Sequence, residues 1–183
     1  TDAVRWQTVA DEIQMASHML YRPDKKYFCK GFINRGNNEL EFDDTIDASN
    51  VYGAVRFGLF DADATEVTTS LATLERLYST KHSEPTIVGR YENDLYYRVE
   101  GAKLGNPWFI TSLWVAQFDM RHGRTERAEK TIRQIRSQML STGVLSEQFN
   151  QFNLKFVSVA PLTWSQAEFM TTVLDLVETH EKH

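Results

Sequence analysis

Arg90 and Asp94 stand four residues apart, Trp108 follows an Asn-Pro pair, Glu147 adjoins Gln148, and Trp164 closes the set. These side chains are suited to polar chemistry. A positioned carboxylate can take a proton from water, a guanidinium fork can fix neighbouring oxygen atoms, and an indole offers a flat apolar face. The first of them lie in GRYENDLYYRVEGAKLGNPWF, residues 89–109, most of which lacks the apolar period of either helix or strand. Loops of this length bind something or are disordered, and a disordered segment is poor in aromatics. This one is rich in them and reads as a site. Each residue alone also has a plainer account. Arg90 can brace a loop, Asp94 can cap a turn, Trp108 and Trp164 can pack, and Glu147 can be a surface acid.

Helices are expected to position these groups. The first, about 2–20, carries Trp6, Val9, Ile13, Ala16 and Leu20 at spacings of three and four. A small hairpin is expected from Tyr27 to Ile33, with a turn at Arg35-Gly36-Asn37-Asn38. The second helix, about 47–58, presents Val51, Val55 and Leu59, with Asp47 at its start. The third, about 63–79, presents Val67, Leu71, Leu74 and Tyr78. Asn106 as N-cap and Pro107 at the first helical position would open the fourth, with Ile110, Leu113, Trp114 and Phe118 inward and Gly123 as its stop. The fifth, about 125–142, shows Ala128, Ile132, Ile135 and Met139. A Thr163–Gln166 capping box starts the sixth, with Met170, Val173, Leu174 and Val177 inward. Short links join helices two to three and four to five, and long ones follow each pair. The expectation is an all-α fold of stacked antiparallel α-hairpins in a single domain, 1–183, with the long loops gathered at one end.

The totals narrow the function. A net charge of −5, with 20 scattered basic residues, disfavours nucleic acid as a partner. No apolar run is long enough to cross a bilayer. Cys29 is alone, so it makes neither an intrachain disulfide nor a Cys-based zinc site. The closing His180-Glu181-Lys182-His183 reads as a frayed end and not as a metal site. The chain starts at Thr1 without Met, which suggests a processed chain or an excised part of a longer one. The lack of a signal peptide and the single Cys favour the cytoplasm.

VGRYENDLYY at 88–97, GNPWFITSLWVAQ at 105–117, TGVLSEQFN at 142–150 and APLTWSQAEF at 160–169 together resemble the C-terminal half of the catalytic domain of glycoside hydrolase family 15, the glucoamylases and their relatives. The likeness runs from about Asp47 to Leu176. It implies half of an (α/α)6 toroid, with sugar bound where the loops meet. It implies Glu147 as the general base that activates water and Gln148 in the sugar pocket. It also implies Arg90 and Asp94 on substrate hydroxyls, and Trp108 and Trp164 as pocket walls. The implied reaction is inverting removal of glucose from the nonreducing ends of α-glucans or maltooligosaccharides. Inversion uses one carboxylic acid and one carboxylate roughly 6.5–9.5 Å apart, so no cofactor or metal is expected.

The match has departures. The family's general acid lies in a Trp-Glu-Glu setting that this sequence lacks, as it lacks a Trp-x-Arg-Asp element. Glu92-Asn93 replaces Pro-Glu of fungal members, the spacing from Asp94 to Asn106 is longer, and Gln166 replaces a His of bacterial relatives. The chain alone is therefore expected to be incomplete and inactive. Its expected partners are an α-glucan or oligosaccharide and either the missing N-terminal half or a second copy across an exposed apolar face. The alternative is a non-catalytic regulatory or carbohydrate-binding domain of the phosphorylase kinase subunit type. The plainest reading is a folded helical fragment.

Overall fold

A computed structural model describes residues 1–37, 39–78 and 87–182. The backbone divides into two compact units, Thr1–Thr73 and Leu74–His183. Position 79 of the third expected helix, Asn38 of the expected turn, and His183 lie outside the described residues.

In the first unit, α1 (Asp2–Ser17) is followed by a short 3-10 turn (His18–Leu20) and a three-stranded antiparallel sheet. Its strands are β1 (Tyr21–Arg22), β2 (Tyr27–Gly36) and β3 (Glu39–Ile46), with β2 in the centre. Register runs through Phe32↔Phe42 and Gly31↔Asp43, with irregularities between Cys29 and Gly31 and between Asn34 and Gly36. Phe28, Cys29, Ile46, Val51, Val67 and Leu71 are buried. Asp47 caps α2 (Ala48–Arg56), its carboxylate accepting the Ser49 N–H at 2.8 Å. The apolar stripe expected on α1 is present in sequence, but no residue of that helix is buried. Trp6 is 65% exposed and Ile13 is 55% exposed.

α3 (Thr65–Tyr78) carries the unit boundary, and Val67, Leu71 and Leu74 are buried along it as its stripe requires. The second unit then holds α4 (Phe109–Arg121), α5 (Thr125–Gln138), the paired strands β4 (Gln148–Phe149) and β5 (Phe156–Val157), and α6 (Thr163–Glu181). α4 packs against both α5 and α6 and is buried at every position from Phe109 to Met120. Phe109, Leu113, Ile135, Leu145 and Phe149 form the main core, with Phe156 and Phe169 against it. Gly123, at φ +72°, lets the chain turn from α4 into α5.

Charge is also built into this core. Asp119 of α4 is fully buried and receives Arg124 at 2.8 Å, while Arg127 bonds both Asp119 and Glu75. Gln117 reaches Thr172 at 2.9 Å and Glu168 at 3.1 Å, fixing α6 against α4 through polar contacts. That turns the expected face of α6 partly outward, leaving only Val173 of its four residues half-buried. Ser165 and Thr172 are its buried residues, and Met170 and Leu174 are 64% and 61% exposed.

The all-α expectation is therefore incorrect. Two antiparallel sheets stand among the helices. The physical reason lies in residues 27–46, where β2 and β3 satisfy each other's backbone groups without a helical apolar period.

Candidate active site

Short backbone clips bring three segments of the second unit together. Gly89 bridges Pro107 and Trp108 bridges Gln148, both antiparallel. The Phe109 N–H donates to Glu147 C=O at 3.3 Å and the Phe149 N–H to Pro107 C=O at 3.1 Å. The first turn of α4 adds a grip on the segment before Arg90. Thr111 Oγ1 donates to Val88 C=O at 2.8 Å, and the Val88 N–H donates to Ser112 Oγ at 3.1 Å.

Arg90 then forks onto Asp94, Nε to Oδ2 at 3.0 Å and Nη2 to Oδ1 at 3.1 Å. Asp94 is 1% exposed and also accepts the Tyr96 N–H at 3.0 Å. Gly105, at φ +104°, lies against it so closely that an added Cβ would stand 2.9 Å from the Asp94 Cβ. Burial draws the Arg90 pKa down, but the hydrogen bonds and charge of Asp94 outweigh that and raise it. The guanidinium lies 4.6 Å from the Trp108 ring, 4.7 Å from Tyr91 and 5.5 Å from Tyr96. It is a cation held rigid among three aromatic faces.

Asn106 does not cap α4 as its sequence position suggests. Trp108 takes the cap position without a side-chain bond, and Pro107 lies before the helix. The Asn106 amide is used inside the loop instead. Its Oδ1 accepts the Val99 N–H at 2.9 Å, and its Nδ2 donates to Tyr97 C=O at 2.8 Å and to Gln148 Oε1 at 2.6 Å. A buried amide with three partners at hand gains more there than at an open helix end. The Thr163–Gln166 capping box fails for a similar reason. Leu162 is the cap residue of α6, and Gln166 Oε1 accepts the Leu145 N–H at 3.4 Å.

Glu147 is half-buried and directly precedes β4. Its Oε2 accepts the Ser158 hydroxyl and, at 3.5 Å, the Gln148 amide. Its backbone N–H is fixed to Val159 C=O at 2.9 Å. Ser158 has φ +64°, a left-handed conformation uncommon for serine, and this aims its hydroxyl at the carboxylate. Oε1 lies outside these bonds. A carboxylate held by one oxygen, with the other outside the bonded set, can accept a proton from water.

The structure thus joins Arg90, Asp94, Trp108, Gln148 and Glu147 in one bonded cluster. Trp164 stands apart from it on the first turn of α6, half-exposed, its ring 5.9 Å from Trp114. Its neighbour Ser165 donates to Ser146 C=O at 2.7 Å, which ties that turn to the Glu147 segment. Sequence reasoning missed the roles of Asn106 and Ser158. The Asn-Pro-Trp run pointed at Asn106 under another role, and nothing in the Ser158 neighbourhood marks it. Among the described residues, no group of three or more His, Cys, Asp or Glu could hold a metal ion.

Residues 1–139 match the model of the family described as Glycosyl hydrolases family 15. The chain belongs to glycoside hydrolase family 15. The family match includes Arg90, Asp94 and Trp108, begins well before Asp47, and stops short of Glu147, Gln148 and Trp164. An uncharacterized glycosyl hydrolase of Methanocaldococcus jannaschii is 26% identical over 168 residues, covering 85% of this chain and 25% of the relative. The chain thus spans a quarter of that curated relative's length. A bacterial glucoamylase complexed with acarbose superposes with a TM-score of 0.77 at 19% identity, over 97% of this chain and 30% of that one. A family 15 glucoamylase from Hypocrea jecorina gives a TM-score of 0.73 at 16% identity, over 95% and 37%. A glycosidase in complex with glucose gives 0.69 at 19%, over 93% and 43%. At these identities the structural likeness shows the fold alone, and the family match carries the assignment to glycoside hydrolase family 15.

Proposed function

We propose that this chain supplies the base side and one sugar-holding wall of an inverting exo-glucosidase acting on α-glucans or maltooligosaccharides. The observation that carries the reading is Glu147. Its carboxylate is held by Ser158 and Gln148 and bonded through Gln148 and Asn106 to the loop that presents Arg90 beside Trp108. In this reading Glu147 takes the proton of the attacking water, Trp108 packs against a sugar ring, and Arg90 fixes hydroxyls. Asp94, whose oxygens are committed to Arg90 and the Tyr96 N–H, holds the guanidinium in place. Gln148 orients Glu147, and Trp164 forms a further wall.

The general acid comes from outside this chain, from the remainder of a longer protein or from a second copy. Asp94 is unsuited to that role, because both its oxygens are used and it is buried. The exposed apolar faces of α1 and α6 are surfaces such a partner would cover. The test is Glu147→Gln in the full-length protein. We expect turnover of maltose and starch to fall by orders of magnitude with the fold unchanged, and the parent protein to release β-glucose first. Near-normal turnover of the variant, or initial α-glucose, overturns the reading.

A further inference from the structure

Tyr78, the last residue of α3, is half-buried and reaches the base of the loop that carries Arg90. Its hydroxyl donates to Tyr91 C=O at 3.0 Å and lies 3.3 Å from Leu104 C=O. One phenolic proton is thus shared between carbonyls from opposite ends of that loop. Both carbonyls border Asp94. Tyr91 C=O also accepts the Asp94 N–H at 3.3 Å, closing the turn that carries the carboxylate back to Arg90. Leu104 directly precedes Gly105, which lies so close that an added Cβ would stand 3.0 Å from the Asp94 C=O.

The ring has a place cut for it. A Cβ added to Gly89, the buried residue before Arg90, would stand 2.6 Å from Tyr78 Oη and 2.9 Å from its Cζ. Gly89 is not among the glycines of positive φ, so its missing side chain serves the approach of the ring and not a turn. Tyr78 therefore touches the chain on both sides of Arg90, at Gly89 and at Tyr91. The root of the side chain is fixed as well. Glu75 stands three residues earlier on the same face of α3 and accepts Arg127 Nη1 at 3.2 Å, while Arg127 Nε donates to the buried Asp119 at 2.8 Å. These contacts all lie within the second unit. Space filling accounts for the ring, but not for a hydroxyl set on a carbonyl at each side of Asp94.

We propose that Tyr78 is a positioning residue, fixing the peptide units on either side of the Arg90–Asp94 pair and so the place of the guanidinium above Trp108. This rests on the reading of Arg90 as the group that fixes sugar hydroxyls. A fork of two hydrogen bonds is useful to a ligand only if its seat does not move, and a misplacement of about 1 Å can cost on the order of a hundredfold in rate.

The experiment compares the full-length protein with Tyr78→Phe, which keeps the ring and removes the shared bond. We expect KM for maltose to rise roughly threefold to tenfold, the size of one hydrogen bond, with kcat changed by less than about twofold. Tyr21→Phe is the control. It removes a comparable hydroxyl contact, with Thr69 Oγ1 at 3.0 Å in the first unit, and should leave KM as it is. A KM change no larger than that of Tyr21→Phe, or a fall in kcat at constant KM, overturns the proposal. Amide hydrogen exchange over residues 91–105, followed by mass spectrometry, needs no turnover. The Asp94 and Gly105 amides should exchange at least about threefold faster in Tyr78→Phe, with those of α4 unchanged, and exchange equal to the parent overturns the proposal. A parent protein that hydrolyses no α-glucan would defeat the glucosidase reading, and the exchange rates alone would then decide the role of Tyr78. Turnover by the parent, with neither KM nor exchange altered in the variant, would defeat this proposal and leave that reading standing.

Discussion

Replacing Asn106 should damage this chain far more than a loop asparagine ordinarily would. Asn106→Ala removes three hydrogen bonds at once, to the Val99 N–H, the Tyr97 carbonyl and the Gln148 amide oxygen. The three losses are unequal. Gln148 is fully buried, so its stranded oxygen costs the full desolvation penalty, about 1–3 kcal/mol. Tyr97 is exposed and Val99 half-buried, so water replaces part of those bonds, and each loss is about 0.5–1 kcal/mol. The sum is about 2–5 kcal/mol. For a domain of this size that corresponds to a fall in Tm of roughly 4–20 °C. Asn106→Asp gives the sign of the interaction as well as its size. The carboxylate still accepts from Val99, but it faces the Tyr97 and Gln148 oxygens as acceptor against acceptor. It should therefore be at least as destabilising as alanine. Urea unfolding followed by circular dichroism measures both variants, with a surface substitution such as Lys103→Ala for scale. A loss below about 0.5 kcal/mol for Asn106→Ala, or an Asp variant as stable as the parent, would refute the hydrogen-bond assignment.

Three other outcomes follow from the geometry. Asp119→Ala should cost about 2–3 kcal/mol in urea unfolding, less than the ~3–5 kcal/mol of a fully buried pair, because Arg127 retains Glu75; a neutral result would mean that the cluster contributes nothing net. Burial pushes the Cys29 thiol up, so iodoacetamide at neutral pH should label it at the rate at which the first unit opens, and immediate labelling of the folded chain would contradict its burial. In the full-length protein, Ser158→Ala should lower kcat about tenfold with KM little changed, since it frees the Glu147 carboxylate without touching the sugar wall; a change confined to KM would place Ser158 on the substrate.

The sequence was most legible where one face of an element meets one apolar surface. Val67, Leu71 and Leu74 of α3, Ile132 and Ile135 of α5, and the Asp47 cap of α2 are where their spacing puts them. It misled where polar contacts decide the matter, and on α1. α6 turns Ser165 and Thr172 inward because Gln117 and Ser146 bond them, a preference that hydrophobic periodicity cannot register. α1 has the stripe of a buried helix, yet no residue of it is buried. β2 is buried at Phe28 and Cys29 and largely exposed from Lys30 onward, so its period-two signal fades before the strand ends. For the candidate site, residue types and short motifs named most of the cluster. They were silent on Asn106 as its hub and on Ser158, since both roles depend on segments distant in sequence meeting across the loop.

The burial of α4 on every side bears on how freely this sequence can change. An amphipathic helix such as α5 has an outward face on which substitutions drift without consequence, so a scan of all single variants along it would rise and fall every three to four residues. α4 has no such face between Phe109 and Met120. Thr111 and Ser112 are committed to Val88, Gln117 to α6, Asp119 to the arginines that follow, and the remaining positions to packing. Its profile in such a scan should be flat and uniformly intolerant. Adaptation to a new substrate is therefore left to the loops that α4 supports, with the helix as the part of the second unit that evolution can least afford to edit.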